Sequence, residues 1–290
     1  MSIYFEQHHN ISSFNSSDSW IVLNGIEQRI KAKIEAVGTP LKDWDINIYR
    51  GILTGYNEAF IIDGKKKDEL IASDPKSVEI IRPILRGRDI KRYTYEFADL
   101  YLITTFPSLK VNIEQYPAVK QHLLSFSYDR LKQTGDKGAR KKTNNKWFET
   151  QDSISYWEDF SNQKIVWKRV GSILRFSYDE MGKMALDSTC FATGKHIKFL
   201  VAVLNSRMGH YLMRDAPKTG TGDLLISVQA IEPLNIPVPD INTEKKIEAI
   251  IDEILKEKSI ILENNLNQII YNIYNLDDKE IEFIEFQYIQ

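Results

Sequence analysis

Between Arg82 and Arg92 five basic side chains, Arg82, Arg86, Arg88, Lys91 and Arg92, stand against one acid, Asp89, with Gly87 inside the run and Tyr93 after it. The planar fork of arginine fits phosphate oxygens and the acceptor edge of guanine, and lysine matches either less well. Some 25 residues upstream, Gly51 and Gly55 allow a sharp turn before a short apolar run from Ala59 to Ile62. A rigid turn displaying arginines suits recognition of phosphates and guanine edges better than bond-breaking chemistry. Asp89 has a competing use: paired with Arg86 or Arg92 it would fix the turn, leaving a neighbouring arginine free.

Three further segments could hold an anionic polymer. Asp136 to Lys146 carries Lys137, Arg140, Lys141, Lys142 and Lys146 against Asp136, and Trp147-Phe148 follow. A basic loop beside aromatics grips a phosphate backbone by releasing counterions, although such a charge run also serves as a solvated surface loop. Lys164, Trp167, Lys168, Arg169 and Arg175 fall on adjacent expected strands. Alternation there puts Trp167 and Arg169 on one face with Lys164 and Lys168 on the other, so only one face could meet a ligand. Lys218-Thr219-Gly220-Thr221-Gly222-Asp223 offers hydroxyls and amides to an oxyanion, but it lacks the Gly-Lys-Ser/Thr of a P-loop.

Enzyme signals are poor. Asp136, Glu149, Glu158, Asp159 and Lys164 do not make an Asp…Glu-x-Lys nuclease pattern, because Glu158 and Lys164 are six apart rather than two. His8 and His9 are adjacent and would diverge on a regular element, and His122, His196 and His210 have no partners at ligand spacing. Cys190 stands alone and reads as core.

These residues need elements to place them. Ile26, Ile30, Ile34 and Val37 predict a helix over residues 20–37, ended by Gly38 and Pro40. Strands are expected near 46–49, 59–62, 100–104, 165–170, 173–177 and 184–186. A helix broken at Pro117 is expected over 110–131, and one buried helix over 196–212. Beyond Pro239, capped by Asn242 or Thr243, an apolar seam runs from Ile247 through Ile250, Ile251, Ile254, Leu255, Ile261 and Leu262 to Ile273, interrupted by Lys258. A seam of that length needs a surface: the domain itself, a second copy, or another domain.

In order, these stretches resemble the C-terminal specificity domain, or target-recognition domain, of TaqI-like adenine-N6 DNA methyltransferases and fused type IIG restriction–modification enzymes. The resemblance rests on the Gly51–Phe60 and Arg86–Tyr93 stretches, and on Trp20 with the amphipathic Ile26–Val37 lead-in. It continues through Trp147-Phe148-Glu149-Thr150-Gln151, Lys164-Ile165-Val166, Leu204-Asn205-Ser206 and Ile236-Pro237-Val238-Pro239, and ends in a helical coda over 270–285. It implies a mixed α/β target-recognition domain with a helical lead-in and a long C-terminal helix: residues 1–45 as connector, 46–239 as specificity domain, 240–290 as acidic helical segment. It also implies contact with double-stranded DNA through Arg86, Arg88, Lys91, Arg92, Lys137, Arg140, Lys141, Lys142, Lys146, Lys168, Arg169, Lys218, Thr219 and Thr221. One departure matters. The family's methyltransferases carry an Asn-Pro-Pro-aromatic motif and a Gly-rich cofactor turn, and this chain has neither. The expectation is a reader of DNA whose methyltransferase, with or without a nuclease, lies elsewhere and alone uses S-adenosylmethionine.

Charge fits once divided. Asp240 to Gln290 holds 12 acids and 5 bases, a net of −7, so with −2 for the whole chain the first 239 residues carry +5. The absence of an apolar run of about 18 residues argues against a membrane span. The polar Met1–Asn10 and a single cysteine point to the cytoplasm. Two rivals remain: a protein–protein module of a restriction or phage-defence complex, favoured by the acidic tail, and a metal-dependent enzyme resting on carboxylates such as Glu149 or Glu158.

Overall fold

A computed structural model describes residues 24–289. Its centre is a four-stranded antiparallel sheet of β1 (Ile46–Arg50), β2 (Lys164–Lys168), β3 (Phe176–Asp179) and β4 (Thr189–Gly194), in the order β1-β4-β2-β3. Both faces are covered. Ile165, Trp167, Cys190 and Ala192 point into one core, whereas Val166 and Phe191 point into another. That is the two-residue period of extended chain with apolar layers on either side.

The first core is helical: α1 (Gly25–Val37), α2 (Ile197–Asn205), α3 (Arg207–Leu212), α4 (Ile241–Lys256), α5 (Ile260–Ile273) and α6 (Asp278–Ile289). The second joins helices Gly64–Ser73 and Pro117–Leu124 to a smaller sheet of Ile61–Asp63, Leu100–Ile103, Ile81–Leu85 and Met184–Ala185. The glycine turn leaving β1 links the layers. A Cβ on Gly51 would lie 2.0 Å from the Leu186 carbonyl oxygen, and Gly55 has φ +80°.

Strands form close to the expected places at 46–50, 100–103, 164–168 and 184–185. Elsewhere the chain differs. Asn57–Phe60 is a helical turn and the strand starts at Ile61, while β3 starts at Phe176. Pro117 opens a helix rather than breaking one, since its missing N–H costs nothing at a first position. The expected 196–212 helix divides at Ser206, whose Oγ accepts the Gly209 N–H at 3.0 Å and caps α3. The side chain of Asn205 enforces that break by pairing like a strand with Phe176: Oδ1 accepts the amide at 3.1 Å and Nδ2 donates to the carbonyl at 2.7 Å.

The C-terminal segment is helical, in three pieces. Asp240, not Asn242 or Thr243, caps α4, accepting the amides of both residues at 2.9 and 3.1 Å. Ile247, Ile250, Ile251, Ile254, Leu266 and Ile270 bury against the first core, so the surface their seam needed is the domain itself. Ile261, expected in that seam, is 76% exposed. Arg29 and Lys33 of α1 pair with the buried Glu280 of α6, so lead-in and coda touch. Trp20, His8 and His9 lie outside the described residues. No described helix is long and apolar enough to cross a membrane.

Candidate nucleic-acid interface

The Arg86–Asp89 turn is built by one of its own arginines. Asp89, 4% exposed, accepts from the Arg86 amide at 2.8 Å, from Nε at 3.1 Å and from Nη2 at 2.8 Å. The bond to this carboxylate raises the Arg86 pKa. Arg86 therefore spends its side-chain bonds on fixing the turn rather than on the surface expected of it, and Arg88 is exposed and, among the described residues, without an acid partner. Lys91 pairs with Glu96 at 3.1 Å. Arg92 is also committed: it donates to Glu263 at 2.6 Å and to the Asn205 carbonyl at 2.8 Å. Both its fork nitrogens are taken by protein groups, which sets it apart from the DNA contact expected of it.

Gly87 seats the turn on the end of the central sheet. Its amide donates to the Ser188 Oγ at 3.0 Å, and a Cβ there would sit 3.0 Å from the Lys168 Cγ. Strand register then collects basic residues at this sheet end. Arg50 pairs with Cys190, Lys168 with Thr189, and Trp167 with Phe176, the residue after Arg175. Arg169 donates its amide to Ser188 at 3.0 Å and accepts from the Ile226 amide at 2.8 Å. The Lys218–Leu224 hairpin completes the group, because Leu224 pairs with Gly171, beside the Lys168 ammonium. Arg88, Lys168, Arg169, Arg175 and Lys218 thus gather from four sequence segments, and among the described residues none has a carboxylate partner. Arg50, absent from the expected set, joins them 3.8 Å from Asp187. Its place just before the Gly51 turn was the signal available in the sequence. In the hairpin the Thr219 and Thr221 hydroxyls bond to each other at 2.8 Å.

The predicted alternation along β2 is present, but it buries more than expected. The Trp167 Nε1 donates to the Ile226 carbonyl at 2.8 Å inside the helical core. Lys164 on the opposite face is fully buried and donates to Asp179 at 2.5 Å, with its pKa lowered by burial. Neither can reach a ligand.

The 136–146 loop also divides. Arg140, expected to touch DNA, is 2% exposed. It donates to the carbonyls of Leu131 (2.7 Å), Thr54 (3.0 Å), Glu149 (2.8 Å) and Trp147 (2.6 Å), and lies 5.1 Å from the Phe60 ring centre. Burial pushes its pKa down to about 10. Arg140 thus ties the basic loop to the glycine turn and to the Trp147–Gln151 box, and this is a structural role. Lys137, Lys141 and Lys142 are exposed and, among the described residues, unpaired, and Lys146 is exposed 4.0 Å from Glu149. Segment 50–55 runs from the sheet end to this loop, where Thr54 accepts from both Arg140 and Gln151.

The carboxylates weighed for catalysis are occupied or apart. Glu149 is buried and accepts the Lys146 amide at 2.7 Å, and Asp159 accepts the Tyr49 hydroxyl at 2.6 Å. Cys190 is in the core, where burial raises its thiol to about 11. Among the described residues no three His, Cys, Asp or Glu side chains come together as a metal site.

Among solved structures, the Type IIL restriction-modification enzyme MmeI in complex with DNA superimposes with a TM-score of 0.55 at 13% identity, covering 86% of this chain and 36% of that one. The type IIG restriction endonuclease BpuSI gives 0.49 at 13% identity, covering 86% and 33%. This chain therefore spans about a third of either enzyme, and the first likeness is one of fold. No curated protein matches. The family model for the TaqI-like C-terminal specificity domain matches residues 82–238, from the arginine run to the closing proline segment. With that match covering more than half its length, the chain belongs to the TaqI-like C-terminal specificity domain family.

Proposed function

We propose that this chain reads a short double-stranded DNA sequence as the target-recognition unit of a cytoplasmic type IIG-like restriction–modification enzyme. It would position duplex for an adenine-N6 methyltransferase, with or without a nuclease, carried by another domain or subunit that alone uses S-adenosylmethionine. The observation that carries this reading is the convergence of unpaired Arg88, Lys168, Arg169, Arg175 and Lys218 at one end of the central sheet, from segments more than 100 residues apart. Charges left without carboxylates, on a surface fixed by backbone bonds, suit phosphates and guanine edges. Lys137, Lys141, Lys142 and Lys146 extend the same chemistry along the second loop, while Lys91, Thr219 and Thr221 flank it.

The supporting family match is to a specificity domain, and the similar MmeI structure is described in complex with DNA. The rival, an assembly module built on the acidic tail, is disfavoured because that segment buries its apolar seam on its own domain. The test is selection from a randomised duplex pool over a salt series. An enriched motif with steep salt dependence establishes the reader. Absence of binding at low salt rejects it.

A further inference from the structure

Arg92 belongs to the arginine run but not to its exposed surface. We propose that Glu263, on α5, is a positioning residue for DNA reading: through Arg92 it holds the Arg86–Asp89 turn at the angle from which Arg88 projects. This deepens the function proposed above and rests on it.

The loop carrying Arg88 is closed on itself by the Glu96 amide donating to the Asp89 carbonyl at 2.9 Å, and by the Lys91 amide donating to Thr94 at 2.9 Å. Its base lies as an extra edge along β3. The Tyr93 amide donates to the Phe176 carbonyl at 2.9 Å, the Tyr178 amide returns to the Tyr93 carbonyl at 2.8 Å, and the Ser177 hydroxyl reaches the Lys91 carbonyl at 2.8 Å. Arg92 is the side chain that carries this edge across to the helices. Its guanidinium donates to Glu263 at 2.6 Å and to the Asn205 carbonyl at 2.8 Å, and packs 5.2 Å from the Tyr93 ring centre. Asn205 is also the residue whose amide pairs with Phe176, so one residue receives both ends of the brace.

The Glu263 side chain is 14% exposed. Freeing Arg92 for a phosphate would strand this partly buried carboxylate, and a charge left alone away from water is strongly unfavourable. Arg92 also has a buried Nε without a partner, so its fork is held by Glu263, the Asn205 carbonyl and, at 3.5 Å, the Tyr93 hydroxyl. The acidic C-terminal segment thereby becomes part of the reading apparatus.

The opposing account makes Arg92 a DNA contact that Glu263 merely occupies, and the two accounts differ in sign. The experiment measures binding of Glu263→Gln, Arg92→Gln and Arg88→Gln variants to the duplex selected by the wild-type chain, across a salt series. It also follows amide exchange in the free proteins. On the brace account Glu263→Gln weakens binding roughly tenfold, the scale of one charge-assisted hydrogen bond, and leaves the salt slope unchanged. Arg92→Gln also keeps the slope, whereas Arg88→Gln lowers it by about one. Exchange at the Lys91 and Tyr93 amides accelerates in Glu263→Gln while β4 stays protected, and the Arg92→Glu, Glu263→Arg pair restores protection. Equal or tighter binding by Glu263→Gln, or a slope reduced in Arg92→Gln, overturns the proposal. Should the wild-type chain bind no duplex, the functional reading falls, and exchange still decides the brace: unchanged protection at Lys91 and Tyr93 refutes it.

Discussion

Replacing Arg140 with Met keeps the length of the side chain and removes its five donors, which separates a buried staple from a DNA contact. Four carbonyls, of Leu131, Thr54, Glu149 and Trp147, lose this donor in a site that is 2% exposed; Thr54 keeps the Gln151 amide and Glu149 the Gln133 side chain, so Leu131 and Trp147 are the two left orphaned. An orphaned buried acceptor costs about 1–3 kcal/mol, so in the middle of that range the two together approach about 4 kcal/mol. Relief of the desolvation of a buried guanidinium, together with entry of water, offsets part of this. The expected loss is therefore about 3 kcal/mol in urea unfolding, seen as a lower midpoint at constant slope. Lys141→Met, one residue away and exposed, should change stability by no more than about 0.5 kcal/mol. Wild-type stability in Arg140→Met, accompanied by a salt slope of DNA binding reduced by about one, would refute the reasoning and return Arg140 to the interface.

Other consequences are as direct. Lys168→Gln should weaken binding uniformly across sequences and lower the salt slope by about one, which titration of selected and scrambled duplexes would read. Asn205→Ala leaves the Phe176 amide unpaired and its carbonyl with the Tyr93 amide alone, and should cost about 2 kcal/mol of unfolding free energy by denaturant titration. His210 has its pKa pushed down to about 4, first by burial and then by Arg92, against an ordinary value of 6.5. The unfolded chain therefore binds this proton more readily, so the contribution is fully present above pH 6.5 and is lost as pH falls toward 4. His210→Phe should flatten the stability profile between pH 6.5 and 5, and an unchanged slope there would remove His210 as its source.

Much of the fold was legible because the signals were local. Periodicity marked α1 and the C-terminal helices, and β-branched or aromatic runs marked 46–50, 100–103 and 164–168. The strand at the centre of the sheet was not legible. Thr189-Cys190-Phe191-Ala192-Thr193-Gly194 has no apolar alternation, because apolar layers cover both of its faces and its threonines bond inward, Thr189 to the Leu186 carbonyl at 2.6 Å. The break at Ser206 was hidden because the donor and acceptor that compensate it lie on Phe176, 30 residues back. The interface was legible as composition and not as geometry. Arg86, Arg88, Arg92 and Arg140 are one residue type in basic runs; the local Asp89 could point to Arg86 as structural, but only tertiary partners show that Arg92 and Arg140 are committed inward as well and leave Arg88 free.

The acidic C-terminal segment explains why net charge misleads here. Glu263 pairs with Arg92, Glu285 with Arg207, Glu280 with Arg29 and Lys33, Asp252 with Lys198, and Glu244 bonds to His196. Those carboxylates answer cations of the helical side of the molecule. Apart from Arg50, beside Asp187, the basic residues at the sheet end are left without such answers among the described residues, and a surface field depends on where unpaired charge gathers rather than on the sum. The same acids that cancel the chain's total therefore do little to the potential a phosphate would meet beside Lys168 and Arg88. Added salt should accordingly weaken DNA binding steeply despite the formal charge of −2, whereas pairs such as Arg92 with Glu263, partly withdrawn from water, should be screened much less.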